Sequence, residues 1–291
     1  MKPPPFVHHA PRTVDEAVDV LAEVGHDGKV LAGGQSLIPV LNMRLATPGH
    51  LVDINGVGGL DAVEVTDRWV RVGALVRHAG LQRHAGADAV LPLLRQALDH
   101  VAHPAIRNRG TTVGSIAHAD PAGEMPSVLV LTGGVVEAVG PHGRREIAAH
   151  DFFEGPLETT LGHDELVEAV RFGRFAPGTR TAFLESARRH GDYALAGVAV
   201  AVEVVDGLVR SARASFVSVT AVPTVLDLSS ALAGREAGAP VPDAVVELVR
   251  AHVDPEGDIH ASADYRRMLA AELTRRAVAS VTTDHGVEGA A

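Results

Sequence analysis

The segment from residue 102 to residue 126 constrains this chain more than any other stretch. Its middle part, Gly110 to Ser115, combines two glycines with three hydroxyl side chains and has almost no bulk. Backbone N–H groups of such a segment can approach a phosphate closely, because glycine has no Cβ to block the contact. An imidazole and two carboxyl groups follow at His118, Asp120 and Glu124. The segment therefore predicts a site for a large polar ligand that carries phosphates and hydroxyl groups.

A second glycine-rich turn occurs at residues 33–36, near the start of the chain. Residues 29–32 predict a short buried strand, and Ser36 is placed to cap a helix that we predict over residues 37–45. A strand, a double-glycine turn and a helix together direct free N–H groups and the positive end of a helix dipole outward. This arrangement suits a pyrophosphate.

Charge and composition exclude several classes of function. The 291 residues include 36 acidic and 26 basic side chains, and the net charge of −10 favours neither nucleic acid nor an anionic membrane as partner. The absence of cysteine excludes disulfides, cysteine nucleophiles and Cys-ligated iron–sulfur clusters within this chain.

The longest apolar run, residues 193–202, is far shorter than the roughly 18 residues that span a bilayer. With no apolar signal core at residues 1–6, we expect a soluble, cytoplasmic protein without a membrane span.

Hydrophobic periodicity predicts an α+β architecture in three parts. Residues 1–55 form a small α/β unit, with Thr13 and Glu16 as a capping box for a helix over residues 14–24 and a later strand over residues 51–54. In residues 56–176 we predict an α+β unit with hairpins at 62–65/69–74 and 135–139/144–148, helices near 76–85 and 90–102, a helical or buried segment at 128–132 and a strand at 165–172.

The remainder of the chain predicts a separate domain of antiparallel sheet and helices over residues 177–285. Residues 173–180 are the best linker candidate, and Asp206-Gly207 predicts a hairpin between residues 198–205 and 208–219. Helical patterns follow near 224–233, 241–252 and 262–282. We expect residues 286–291 to be a disordered tail.

Several of these residues also have simpler interpretations. His118 and Asp120 could bind a metal, but without a third convergent ligand hydrogen-bonded loop residues are the favoured interpretation. Arg107 and Arg109 could contact phosphate or a partner subunit, or could simply be solvated or ion-paired. The glycines at residues 56–59 do not form a dinucleotide fingerprint, because Asp61 stands where that motif needs its last glycine.

Four blocks in the same order carry a family resemblance: residues 32–36, 111–115, 188–194 and 260–267. With them the chain resembles the FAD-binding medium subunit of the molybdenum hydroxylases, the carbon monoxide dehydrogenase and xanthine dehydrogenase family. The resemblance implies an α+β fold with a two-subdomain FAD-binding domain of the vanillyl-alcohol-oxidase (PCMH) type, followed by a CO-dehydrogenase-flavoprotein-like C-terminal domain. Residues 1–55 and 56–176 would be the two FAD-binding subdomains, and residues 177–285 the C-terminal domain.

The resemblance also implies which residues hold the cofactor. Residues 32–36 would wrap the pyrophosphate, residues 111–115 would line the other side of FAD, Glu124 would accept hydrogen bonds from ribityl or ribose hydroxyls, and Tyr193 would lie near the isoalloxazine. Val113 and Ser115 depart from the common family pattern of glycine and asparagine at these positions. The full implied set is Ala32, Gly33, Gly34, Gln35, Ser36, Leu37, Thr111, Thr112, Val113, Gly114, Ser115, His118, Asp120, Glu124, Leu161 and Tyr193.

The function implied by the resemblance is electron transfer. FAD in this chain would link [2Fe-2S] clusters of a small partner subunit to an external acceptor, while a large subunit with molybdopterin would hydroxylate the substrate. The complex would be a dimer of heterotrimers, and we assign no catalytic residue and no metal to this chain. Two alternatives are a stand-alone FAD-dependent oxidoreductase with its own substrate pocket and a non-enzymatic scaffold that has lost the cofactor.

Overall fold

The structure is a computed structural model that describes residues 2–283, so the expected tail at residues 286–291 lies outside the described residues. Strands are β1 Val7–His9, β2 Gly28–Leu31, β3 His50–Asp53, β4 Val63–Val65, β5 Trp69–Gly73, β6 Val135–Gly140, β7 Gly143–Ala148, β8 Phe153–Gly155, β9 Glu158–Thr159, β10 Leu166–Gly173, β11 Thr179–Ser186, β12 Ala196–Val205, β13 Leu208–Val217 and β14 Val225–Asp227. Helices are α1 Val14–Val24, α2 Leu37–Asn42, α3 His78–Gln82, α4 Ala85–Val90, α5 Leu93–Leu98, α6 Pro104–Arg107, α7 Thr112–His118, α8 Glu124–Leu131, α9 Ala149–Phe152, α10 Ser229–Leu232, α11 Asp243–His252 and α12 Ala263–Thr282.

The first sheet is parallel, with strand order β1-β3-β2, and α1 packs against it. Helix α1 begins where the capping pattern predicts, because Thr13 Oγ1 accepts a hydrogen bond of 3.1 Å from the Glu16 N–H. The Glu16 carboxylate in turn accepts from the Arg12 N–H at 2.6 Å. The strand β2 delivers the chain directly into the turn at residues 32–36.

The second sheet is antiparallel and has the order β4-β5-β10-β6-β7. Both hairpins that we predicted within residues 56–176 are present, and β10 pairs with β5 and β6 at the centre. The segment between β5 and β6 crosses over as six short helices, α3 to α8. This crossover contains the segment 102–126.

The third sheet, β11-β12-β13-β14, is covered by helices on both faces. Side chains of β12 alternate between them: Val198 and Val200 belong to the core under α11 and α12, whereas Ala199 and Ala201 belong to the core around α5 and α8. Gln96 on α5 also donates to the Thr181 carbonyl oxygen at 3.0 Å. The third sheet therefore shares a hydrophobic core with the crossover helices.

Local structure differs from the sequence prediction at several elements. Residues 224–233 form the edge strand β14 and the short helix α10 rather than one helix, because Val225 pairs with Ser215 on β13. Helix α2 ends at Asn42 rather than at residue 45, and residues 76–102 divide into α3, α4 and α5. The linker is shorter than predicted, since β10 runs to Gly173 and β11 begins at Thr179. No helix among residues 2–283 is long and apolar enough to cross a bilayer.

The core beneath α11 and α12 yields a stability prediction. Phe216 on β13 is 1% exposed, so Phe216→Ala should lower the free energy of unfolding by about 3–5 kcal/mol through lost burial and a residual cavity. Leu208→Ala on the same strand removes a side chain that is 43% exposed, and it should change the free energy of unfolding by only about 0.5 kcal/mol. Urea unfolding followed by circular dichroism compares the two, and equal losses would refute this packing.

Candidate cofactor site

The two glycine-rich segments of the sequence lie in direct contact. A Cβ at position 33 would lie 2.6 Å from the carbonyl oxygen of Arg109, 2.7 Å from the Cα of Gly110 and 2.9 Å from the Thr111 nitrogen. All three atoms belong to the backbone, so no side-chain rotation could relieve the clash. Only glycine allows this approach. We refer to residues 32–36 and 109–115 together as the glycine cradle.

The first half of the glycine cradle exposes backbone donors. Gly34 has a φ of +72°, a conformation that favours glycine, and its carbonyl oxygen accepts from the Ile38 N–H at the start of α2. Within residues 2–283, the N–H groups of Gly34, Gln35 and Ser36 donate to no protein acceptor. These donors face no competing partner and suit a phosphate group.

Ser36 departs from the predicted role. It occupies the N-cap position of α2, but its backbone is already helical (φ −99°, ψ −49°) and its hydroxyl makes no capping hydrogen bond. The helical conformation therefore begins one residue earlier than the capping pattern indicated. The Ser36 hydroxyl remains available to a ligand.

The second half of the glycine cradle is mostly the first turn of a helix. Thr111 is the N-cap of α7 and its Oγ1 accepts from the Gly114 N–H at 3.1 Å. A Cβ at position 114 would lie 2.5 Å from that same Oγ1. Gly114 is thus needed for the cap as well as for a slender surface.

A hydrogen-bond network that the sequence did not reveal fastens the two halves together. Asn55 donates to the Ala32 carbonyl oxygen at 2.8 Å and accepts from the Arg77 guanidinium at 2.6 Å. Arg77 also donates to the Arg109 carbonyl oxygen at 2.6 Å, and Asp53 accepts from the Asn55 side chain at 2.6 Å. Asn55 and Arg77 come from turns distant in sequence, so local motifs gave no signal for them.

His78 supports the second half from beneath. It is 4% exposed, its N–H donates to the Gly110 carbonyl oxygen at 2.9 Å, and its ring Nδ1 lies 3.2 Å from Thr112 Oγ1. Burial, reinforced by the positive charge of Arg107, lowers the pKa of His78 to about 4. The imidazole is therefore neutral at pH 7.

Arg107 has a structural role in this geometry. Its guanidinium donates to the carbonyl oxygens of Val101 and Ala102 at 2.8 and 3.0 Å, which closes the turn before α6. His118 is the last residue of α7, and the chain turns after it at Ala119. Among residues 2–283, no group of three or more His, Asp or Glu side chains is arranged to hold a metal ion.

Beyond α7, an open cavity of about 530 Å³ lies among the loop after α7, the β11–β12 loop, the end of β13 and the start of α12. Asp120 and Tyr193 line it together with Arg188, Ser218, Asp258, His260 and Arg266. The Ser218 N–H donates to the Pro121 carbonyl oxygen at 2.8 Å, which holds the two walls together. Tyr193 exposes 70% of its surface on the loop between β11 and β12.

Acidic groups beside this cavity influence one another. Burial raises the pKa of Glu124 to about 7, and the negative charge of Asp120 adds to the effect. The pKa of the Tyr193 phenol is raised by partial burial of its hydroxyl, by the charges of Asp120 and Glu124, and by a hydrogen bond to Asp120. The structure thus brings Asp120, Glu124 and Tyr193 together.

Leu161 and Leu37 complete the set of sequence-predicted residues. Leu37 is the first residue of α2, immediately after the glycine cradle. Leu161 follows β9 and packs against the core that contains Val113. The β8–β9 hairpin is tied to the end of α7, because the Leu157 N–H donates to the Ala119 carbonyl oxygen at 2.9 Å.

Two family models match the chain. Residues 4–174 match the FAD binding domain in molybdopterin dehydrogenase, and residues 181–281 match the CO dehydrogenase flavoprotein C-terminal domain. The chain belongs to this family of FAD-binding medium subunits of molybdenum hydroxylases. It is a flavoprotein subunit of an oxidoreductase complex, and FAD is its cofactor.

Individual relatives agree in length and fold. The chain is 39% identical to the nicotine 6-hydroxylase medium subunit of Paenarthrobacter nicotinovorans, over 96% of this chain and 98% of the relative. A solved carbon monoxide dehydrogenase from Hydrogenophaga pseudoflava matches with 35% identity and a TM-score of 0.91, covering 97% and 98% of the two chains. Quinoline 2-oxidoreductase from Pseudomonas putida 86 matches with 34% identity and a TM-score of 0.89, with the same coverage.

The residues present fit FAD. The glycine cradle supplies unpaired N–H donors and a surface on which a Cβ would collide, as a pyrophosphate requires. The polar cavity beside Tyr193 offers room for a further part of a large cofactor.

The buried imidazole yields a pH prediction. Because the pKa of His78 is lower in the folded than in the unfolded state, its contribution to stability is present above about pH 6.5 and is lost as the pH falls toward 4. Between pH 7 and pH 5 the free energy of unfolding should therefore fall by about 2 kcal/mol more in the wild type than in His78→Gln.

Urea unfolding at the two pH values measures this difference. His142→Gln, which replaces an exposed histidine in the β6–β7 turn, is the matched control and should behave as the wild type does. An identical pH dependence in the wild type and His78→Gln would show that His78 is not held neutral beneath the glycine cradle.

Proposed function

We propose that this chain holds FAD in the glycine cradle and passes electrons from [2Fe-2S] clusters of a small partner subunit to an external acceptor. The observation that carries the proposal is the backbone contact of Gly33 with residues 109–111. It makes one binding surface out of two segments that are far apart in sequence. FAD exchanges electrons singly or in pairs, and this chemistry can link one-electron clusters to a two-electron acceptor.

Each part of the site has a distinct role in this proposal. Residues 32–36 donate N–H hydrogen bonds to the pyrophosphate, and residues 111–115 line the opposite side of the cofactor. Glu124 accepts hydrogen bonds from ribityl or ribose hydroxyls, and Tyr193 covers the isoalloxazine and restricts access of water. Leu37, His118, Asp120 and Leu161 complete the contacts.

The assembly follows from the division of chemistry between chains. Since this chain has no cysteine, Cys-ligated clusters must belong to another subunit. Its relatives are named medium subunits or medium chains of nicotine 6-hydroxylase and carbon monoxide dehydrogenase, which supports a small and a large partner. We propose a dimer of heterotrimers, in which the large subunit carries molybdopterin and hydroxylates the substrate.

The proposed role of the glycine cradle in FAD binding can be tested by adding one methyl group at position 33. Gly33→Ala should displace the backbone of residues 109–111 and lower the affinity for FAD at least about 100-fold, because the clash is with backbone atoms. Gly58→Ala adds the same methyl group where no atom lies within 4 Å and should leave the affinity unchanged. Flavin fluorescence quenching on titration with FAD measures both.

Circular dichroism of the same samples shows whether Gly33→Ala is folded. Full FAD affinity in a folded Gly33→Ala chain would contradict the proposed position of the pyrophosphate. Loss of affinity in Gly58→Ala as well would point to a general loss of structure rather than to the cradle.

The assembly is tested by the metals that accompany the chain. After gentle purification of a tagged chain from its own cells, we expect iron and molybdenum to co-elute with flavin in fixed ratios during gel filtration. Addition of dithionite should then bleach both iron–sulfur and flavin absorption. A chain that elutes with flavin but without iron would instead support the stand-alone oxidoreductase.

A further inference from the structure

A buried carboxyl group lies behind the cofactor site, outside the set of residues that the sequence indicated. The side chain of Glu185 on β11 is 5% exposed, and its Oε2 has no hydrogen-bond partner among the described residues. Directly opposite on β12 is Gly197, which offers no side chain to pair with it. An isolated buried carboxylate is strongly disfavoured, so this group needs either a proton or a cationic partner.

The partner nearest to this carboxyl group is an imidazole. Glu185 Oε1 lies 3.9 Å from Nδ1 of His100, which follows α5 and whose side chain is 33% exposed. Burial lowers the pKa of His100, Asp99 opposes this effect and His190 reinforces it. Glu185 is therefore the member of the pair that holds the proton, and His100 is the more solvent-exposed member. We refer to this pair as the proton store.

The proton store is electrostatically connected to the cofactor site. Glu124 begins α8, and α8 packs against β12, the strand that pairs with β11 at Glu185. Burial raises the pKa of Glu185 to about 8, with the negative charge of Glu124 as a second cause. From α12, Arg266 is directed elsewhere: it donates to the Leu195 carbonyl oxygen and to Asp258, both at 2.7 Å.

The chemistry of the proposed function creates a need for such a group. Electrons from iron–sulfur clusters arrive without protons, so negative charge builds up in a site of low dielectric unless a proton follows. We propose that Glu185 and His100 store a proton behind the cofactor site and that Glu124 passes it toward the cofactor as electrons arrive. The proposal rests on the proposed function for the source of the electrons.

The proton transfer balances in three steps. The O–H bond of the Glu124 carboxyl breaks and its proton would be taken up by the cofactor that has received the electron, which leaves a carboxylate on Glu124. Glu185 then gives its proton to that carboxylate. Finally one proton enters from water through His100 and restores the proton store, so that the net change is uptake of one proton from solvent.

The first test needs no cofactor. In the full chain labelled with ¹³C at the glutamate side-chain carboxyl carbon, the signal that disappears in Glu185→Gln identifies Glu185. We expect that signal to titrate with a midpoint near pH 8. A midpoint near the ordinary value of about 4.3 would overturn the proposal, whether or not the chain transfers electrons.

The second test follows the midpoint potential of FAD bound to the chain between about pH 6 and about pH 9. In the wild type the potential should fall more steeply with pH over the interval in which the proton store takes up its proton. Glu185→Gln, which keeps the shape but cannot titrate, should lose the steeper fall near pH 8 and keep only the contribution of Glu124 near pH 7.

Glu203→Gln is the matched control, since Glu203 lies on the neighbouring strand β12 and accepts a hydrogen bond from Ser211 at 3.0 Å. It should retain the pH dependence of the wild type. A purely structural role for Glu185 would lower stability without changing the slope, and equal slopes in the wild type and Glu185→Gln would overturn the proposal. The second readout is a C=O stretching band of a protonated carboxyl in the reduced-minus-oxidised infrared spectrum, which Glu185→Gln should remove.

Discussion

The backbone contact at Gly33 is the constraint on which the proposed cofactor site depends. Residues 32–36 leave the first sheet and residues 109–115 belong to the crossover of the second, so the site exists only where these two units meet. The contact leaves no space for a methyl group, and the Asn55–Arg77 network fixes its position from the side. The result is a glycine surface on which the N–H groups of residues 34–36 have no acceptor within residues 2–283, and a pyrophosphate is a ligand that this surface suits.

Burial of polar groups then gives the site its electrostatic character. His78 beneath the glycine cradle stays neutral. A protonated imidazole at this position would be shielded from water and repelled by the positive charge of Arg107, and both effects lower its pKa. At Glu124 and Glu185, burial raises the pKa, so both carboxyl groups retain protons at higher pH than ordinary glutamates do. In the proposed function, a cofactor that gains charge during its cycle would lie near both a neutral support and carboxyl groups able to exchange protons.

Much of the fold follows from local sequence rules, and the site follows from them only in part. Residues close together in the sequence were enough to predict three kinds of element: the capping box at Thr13, the hairpins with clear turns and the long helix α12. Residues 224–233 were assigned to a helix because their apolar spacing gives no information about the edge of β13, with which Val225 pairs. Asn55, Arg77 and Glu185 act through partners 22 or more residues away or through burial, so no linear motif marks them.

The central claim is that the two glycine-rich segments form one FAD site, and hydrogen–deuterium exchange with and without FAD tests it most directly. If the account is correct, FAD slows exchange of the backbone amides in residues 33–38 and in residues 111–116 together, with the same dependence on FAD concentration. Protection of one segment without the other, or at different FAD concentrations, would show that they do not hold a common ligand.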